Sequence, residues 1–207
     1  MLSDKYGLTK AVLEGRKTMT RRVANFNPAD SPLVSFNVLP YNEVSESVVI
    51  QRLWRGSYNT SHHLTPKFKV GEVVAVAQAY KDIEEFNPKS YEDVMLSDGV
   101  ICEASHPYSN LMRSGGWDNK MFVKADLMPH HVRITSVRVE RLQDISDEDC
   151  LREGIRKMTF DTFSFDSWKF FARSPREAFA ALIAKVSGKG IWDRNPWVFV
   201  YEFELVK

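Results

Sequence analysis

An α+β fold, a small β-barrel with peripheral helices, is predicted by three features of this sequence. Short segments of alternating apolar and polar residues recur along the chain, turn residues separate them, and few segments carry a helical period. With 207 residues, 43% of them hydrophobic and 12% aromatic, the chain can bury a sizeable core as a single domain over 1–207.

Leu8 to Glu14 reads as a helix with Leu8, Ala11 and Val12 on one face and Gly15 as its stop. Thr18 to Val23 and Val48 to Trp54 are weaker strand candidates, and Gly71 opens a better one over Val73 to Tyr80. Val132 to Leu142 alternates, but its phase slips at Thr135-Ser136, as a bulge would make it. A short helix follows, with Ser146 as N-cap, Ile145 and Cys150 as its hydrophobic staple and Gly154 at its end. Ser174-Pro175-Arg176-Glu177 is a capping box, and Phe179, Leu182, Ile183 and Val186 behind it repeat at helical spacing as far as Gly188. Asn195-Pro196 is the turn that steers Trp192 to Trp197 into a last strand, Val198 to Val206, where Phe199, Tyr201, Phe203 and Leu205 share one side. Residues 24–66 and 85–125, rich in Asn, Ser, Pro and Gly, read as two long insertions at the rim of the core.

Composition excludes several function classes. Lys+Arg 28 against Asp+Glu 27 leaves a formal +1, so no global charge attracts a polyanion. Cys102 and Cys150 are too few for a disulfide scaffold and read as free thiols of a reducing compartment. No apolar run reaches the roughly 18 residues of a membrane span, and Met1-Leu2-Ser3-Asp4-Lys5 lacks the apolar core of a signal peptide, so a cytoplasmic protein is expected. No phosphate loop, dinucleotide fingerprint or Ser-His-Asp signature appears, and no cofactor is expected. His62-His63 and His130-His131 are adjacent pairs without a joining cysteine, so no metal site is expected.

The densest chemical signal is Glu14-Gly15-Arg16-Lys17-Thr18-Met19-Thr20-Arg21-Arg22, which concentrates cations that the whole chain lacks. A turn at Gly15 lets Lys17 and Thr20 converge, and a lysine beside a threonine hydroxyl can act as its base if its own proton is loosely held. The alternative is a solvated basic turn following a helix C-terminus, where cations are favoured.

The run Leu13-x-Gly15-Arg16-Lys17-Thr18-x-Thr20-Arg21, with Met128-Pro129 and Val137-x-Val139-Glu140-Arg141-Leu142-x-Asp144-Ile145-Ser146, resembles the ASCH domain family. Trp192-Asp193-x-Asn195-Pro196-Trp197-Val198 is similar to its longer, phage-associated branch. The resemblance covers the two ends and the middle, and implies a PUA-like β-barrel that binds RNA or a modified nucleoside. One small bacterial branch of the family is an amidohydrolase acting on N(4)-acetylcytidine, and the resemblance to it implies Lys17 as proton acceptor, Thr20 as nucleophile and Glu153 as proton donor. Glu153 fits that role by position, since a helix C-terminus disfavours a carboxylate. An exposed glutamate paired with Arg152 or Arg156 is the alternative.

Arg16 and Arg21 are candidate ligand contacts, and the Arg21 side chain or the backbone N–H groups of the turn are the nearest donors to an oxyanion. Many longer family members carry an Arg-Glu pair and a Trp where this chain has Ala77, Gln78 and Tyr80. Gln78 and Tyr80 are the candidate contacts there, Tyr80 as a base-stacking ring or as core. Asn195 is a candidate hydrogen-bond partner for a ligand. The aromatic group Phe160, Phe163, Phe165, Trp168, Phe170 and Phe171 reads as core or lid, with a base-stacking platform as the alternative. Non-catalytic RNA binding and a phage structural or assembly role stand as the other functions.

Overall fold

The structure, a computed structural model, describes residues 6–26, 34–54, 57–86, 109–158, 161–165 and 170–206. In chain order it contains α1 (Leu8–Leu13), β1 (Met19–Val23), β2 (Val34–Val38), β3 (Val48–Trp54), β4 (Ser57–Leu64) and β5 (Val73–Ala75). There follow α2 (Ser109–Met112), β6 (His131–Arg141), α3 (Asp147–Arg152), β7 (Arg156–Lys157), β8 (Phe163–Ser164), α4 (Pro175–Ser187), α5 (Ile191–Arg194) and β9 (Trp197–Val206). The fold is mixed α+β, and every strand pairing described is antiparallel.

The main sheet runs β1-β9-β6-β5, and β2-β3-β4 form a second sheet. Among the described residues neither sheet closes on itself. β9 is central, and the two faces of its first half go to two different cores. Val198 and Val200 join Met19, Leu142, Ile145, Cys150, Phe179 and Leu182 beneath the helices. Trp197, Phe199, Tyr201 and Phe203 join Val137 and Val139 of β6 and Val48 and Ile50 of the second sheet.

The expected phase slip in β6 is a bulge. The register against β9 passes from Ile134↔Phe203 to Ser136↔Glu202, leaving Thr135 as the extra residue. The α4 cap also forms: the Ser174 side chain accepts from the Glu177 N–H, and Pro175 takes the first turn. Ile145 and Cys150 are both fully buried, and burial pushes the Cys150 thiol up to about 12, which keeps it from acting as a nucleophile. Cys102 lies outside the described residues.

Two expectations are corrected. Residues 24–66 contain a three-stranded antiparallel meander, not loop alone, and it covers one face of the main sheet through Phe36, Val38, Val48, Ile50 and Leu64. The strand expected over Val73 to Tyr80 ends at Ala75. Beyond it the Gln78 N–H turns to the Met128 sulfur and the Tyr80 N–H to the Gly116 carbonyl. Of the other insertion, only its two flanks lie within the described residues.

In the aromatic group, Phe165 is buried, stacks on Phe170 at 5.2 Å and meets the Tyr6 ring edge-on at 5.7 Å. These rings are core, while Phe160 and Trp168 lie outside the described residues. Among the described residues no helix is long and apolar enough to cross a membrane.

Candidate functional site

The turn after α1 builds the site. Gly15 takes φ 71°, open to glycine at no steric cost, and the Arg16 and Lys17 N–H groups both donate to the Ala11 carbonyl. The Thr18 N–H then donates to the Arg152 carbonyl and its own carbonyl accepts from Phe203. These two main-chain bonds tie the turn to the end of α3 and to β9, and so carry Lys17 to Glu153.

Glu153 is the C-cap of α3, and Gly154 after it takes φ 105°. A Cβ at Gly154 would sit 3.3 Å from Leu8 Cδ2 and 3.6 Å from Lys17 Cδ, so the glycine also makes room for the lysine stem.

Lys17 and Glu153 form a buried ion pair with Nζ–Oε2 2.6 Å. Nζ also donates to the carbonyls of Met19 at 2.7 Å and Glu153 at 2.9 Å. An ammonium has three N–H groups, and all three are used. Burial lowers the Lys17 pKa from its usual 10.5, against the opposing pull of Glu153, and the nearby Arg21 lowers it further. Glu153 is therefore not the exposed helix-end glutamate that would pair with Arg152 or Arg156. It is 4% exposed and lies between two cations.

Arg21 is the second cation, and its role is corrected from oxyanion donor to scaffold. Nε and Nη2 donate to Glu140 Oε1, Nη2 also to Asp149 Oδ2 at 2.8 Å, and Nη1 to Glu153 Oε1 at 3.2 Å and the Met19 sulfur. These contacts engage all five donors of the guanidinium. Arg138 continues the lattice to Glu140, Asp149 and Glu202, and Arg152 joins Glu202 to Asp149. Four cations thus meet four carboxylates on one face of the main sheet, a balanced set that holds α3 against β1, β6 and β9.

Above this lattice lies a cavity of about 370 Å³. Lys17, Thr20, Arg21 and Glu153 line it together with the outer part of the α4 apolar face, Phe179, Leu182, Ile183 and Val186. Val186 is 42% exposed, so the helical stripe is wider than the core needs, and its C-terminal half forms a wall. The three residues expected to act together border one concave space. Thr20 is half-buried, and its hydroxyl has no hydrogen bond among the described residues.

The remaining candidates lie elsewhere. Arg16 is held by Glu14 and lines a separate, open groove with Lys10, Arg152, Arg156 and Lys157. Tyr80 is 2% exposed, packs on Phe86 and accepts at its hydroxyl from the Lys124 N–H, so it is core and presents no face to a base. Gln78 lines neither this cavity nor the one described next, though its buried Oε1 has no partner among the described residues. Asn195 is a turn residue: at φ 44° it caps α5, its Oδ1 accepts from the Gln143 N–H, and it lines neither cavity. Among the described residues no group of three or more His, Cys, Asp or Glu could hold a metal ion.

One residue was missed. Strand alternation puts Met19 and Arg21 on the Val200 face and Thr20 and Arg22 on the opposite face, where Thr20 pairs with Tyr201 and Arg22 with Phe199. Arg22 therefore belongs with Thr20. A second cavity, of about 190 Å³, lies on that face. Thr20 and Arg22 border both cavities, because β1 is an edge strand. The period of two along the strand was the available signal.

No protein-family model matches the chain, and no match was found among curated proteins or solved structures.

Proposed function

We propose that this chain is an ASCH-type, PUA-like domain that binds a modified nucleoside, alone or in RNA, and hydrolyses an acyl-amide on its base. The observation that carries this reading is the common cavity of Lys17, Thr20 and Glu153, assembled from residues 136 positions apart. Its volume of about 370 Å³ is within the roughly 300–1,000 Å³ of small-molecule sites, and its apolar α4 wall suits a planar base. The antiparallel main sheet, the bulge at Thr135 and the second sheet across a shared core support the PUA-like barrel assignment. No cofactor is invoked, and a cytoplasmic setting goes with a nucleoside substrate.

In this mechanism the Thr20 oxygen bonds to the amide carbonyl carbon while its proton passes to Lys17. Glu153 gives a proton to the departing base nitrogen as the carbon–nitrogen bond breaks. Water then hydrolyses the Thr20 ester and releases the acid. The starting state needs the amine and the carboxylic acid, one proton transfer along the Nζ–Oε2 contact from the ion pair. Burial favours this transfer, since it removes two opposite charges from a low-dielectric site. Arg21 opposes it electrostatically, because its Nη1 lies 3.2 Å from Glu153 Oε1.

A non-catalytic binding module is the second reading, and one observation favours it. Every N–H of Lys17 is already satisfied, as a purely structural ion pair requires. Hydrolysis requires ligand entry to displace one of those contacts. Incubation with N(4)-acetylcytidine separates the readings. The expected result is stoichiometric release of acetate and cytidine, followed by chromatography; binding without turnover would favour the module.

A further inference from the structure

The second cavity is chemically unlike the first. It is lined by Thr20, Arg22, Lys67 and Tyr201 among apolar side chains such as Phe68 and Val132, and by no carboxylate. Arg22 has a buried Nε without a hydrogen-bond partner, and among the described residues no carboxylate pairs with either Arg22 or Lys67. The Lys67 ammonium lies 5.5 Å over the Phe68 ring. Arg21, the other arginine lining the first cavity, is bound into the ionic lattice, whereas the buried Arg22 Nε has no acceptor among the described residues. An orphaned buried donor of this kind calls for an acceptor that arrives with a ligand.

The size of the cavity limits what arrives. About 190 Å³ is below the range of sites that enclose whole small molecules, so it suits one group of a larger ligand. Thr20 and Arg22 border both cavities at the edge strand β1, so the two cavities are neighbours.

We propose that Arg22 and Lys67 hold a phosphate group of the ligand, so that the protein takes a phosphorylated nucleoside in preference to the free nucleoside. A planar guanidinium with open donors and an exposed ammonium at the mouth form charge-assisted bonds to a phosphate oxygen set. The Tyr201 hydroxyl, which accepts from the Lys67 N–H, has its own proton to donate. This inference rests on the nucleoside reading above for the rest of the ligand, and its test keeps the two apart.

Calorimetric titration of the full chain with cytidine 5′-monophosphate, cytidine and inorganic phosphate provides that test, with no turnover to complicate it. The nucleotide is expected to bind about tenfold or more tightly than cytidine, with the gain shrinking as salt rises. Arg22→Gln and Lys67→Gln should each remove that gain, and Lys67→Gln should leave cytidine affinity unchanged. Lys67 is exposed, so its variant keeps the test valid if Arg22→Gln fails to fold. Equal affinity for nucleotide and nucleoside, or a gain that survives Lys67→Gln, would overturn the phosphate site and leave the nucleoside reading standing. Phosphate binding that needs Arg22, without any affinity for cytidine, would support the anion site and overturn the nucleoside reading. No binding of any of the three would overturn both.

Discussion

Glu153→Leu is expected to destabilise the fold by about 3–5 kcal/mol, the range for removing one partner of a buried charge pair. The substitution leaves Lys17 and Arg21 close together, with Lys17 2% exposed and retaining only the two carbonyl acceptors. Arg21 keeps Glu140 and Asp149, so the lattice beneath it survives. The double variant Lys17→Met with Glu153→Leu removes both charges and should recover most of the loss, because an apolar pair of similar volume avoids the desolvation of two ions. Urea unfolding of wild type, both single variants and the double variant measures the coupling directly. The pair also has a pH signature. Since burial holds Lys17 below its usual 10.5, the unfolded chain binds that proton more tightly. The lysine's contribution to stability is then full above 10.5 and is lost as pH falls through the lower folded value, a dependence that Lys17→Met should lack.

Thr20→Val is expected to lower kcat for an acylated nucleoside by orders of magnitude while leaving folding stability and ligand affinity nearly unchanged. Valine keeps the β-branched shape and the strand preference of threonine, and no hydrogen bond to the hydroxyl is lost among the described residues. The two predictions therefore divide the site. Substitutions at Lys17 and Glu153 confound activity with folding, because both side chains hold α3 to the α1 turn. Thr20 is the member whose loss reports on chemistry alone. Circular dichroism melting of the variant beside a product assay checks both halves.

The elements with local signatures were legible in the sequence. Ser174-Pro175 with Glu177 announced α4, the phase slip at Thr135 announced the β6 bulge, and the alternation of Phe199, Tyr201 and Phe203 announced β9. Val48 to Trp54 was legible as a strand, but its partners β2 and β4 were missed, because the inward Phe36 and Val38 of β2 and Leu64 of β4 are short apolar signals embedded in polar sequence. Their burial comes from facing β9, which their own period does not reveal. Tyr80 was misplaced for a related reason. Its ring lies over Gly116, where a Cβ would come within 2.5 Å, a long-range approach that neither segment reveals.

The site was legible only in part. That Lys17 and Thr20 border one cavity follows from a glycine turn before a strand, and alternation alone pairs Arg22 with Thr20. Glu153 entered through family resemblance, since an ion pair 136 residues apart has no signature in either segment. For Arg21 the charge was visible and its use was not. Four adjacent cations look alike in the sequence, whereas the fold commits Lys17 and Arg21 to buried carboxylates, Arg16 to Glu14, and leaves Arg22 without one among the described residues.

The central claim is that the Thr20 hydroxyl is a nucleophile at the Lys17–Glu153 pair. Rapid-quench mass spectrometry of the wild-type protein mixed with N(4)-acetylcytidine tests it most directly. The account predicts a transient acetyl group on the peptide that carries Thr20, absent in Thr20→Val. Acetate release at the wild-type rate by Thr20→Val, with no acetyl adduct in either protein, would contradict it.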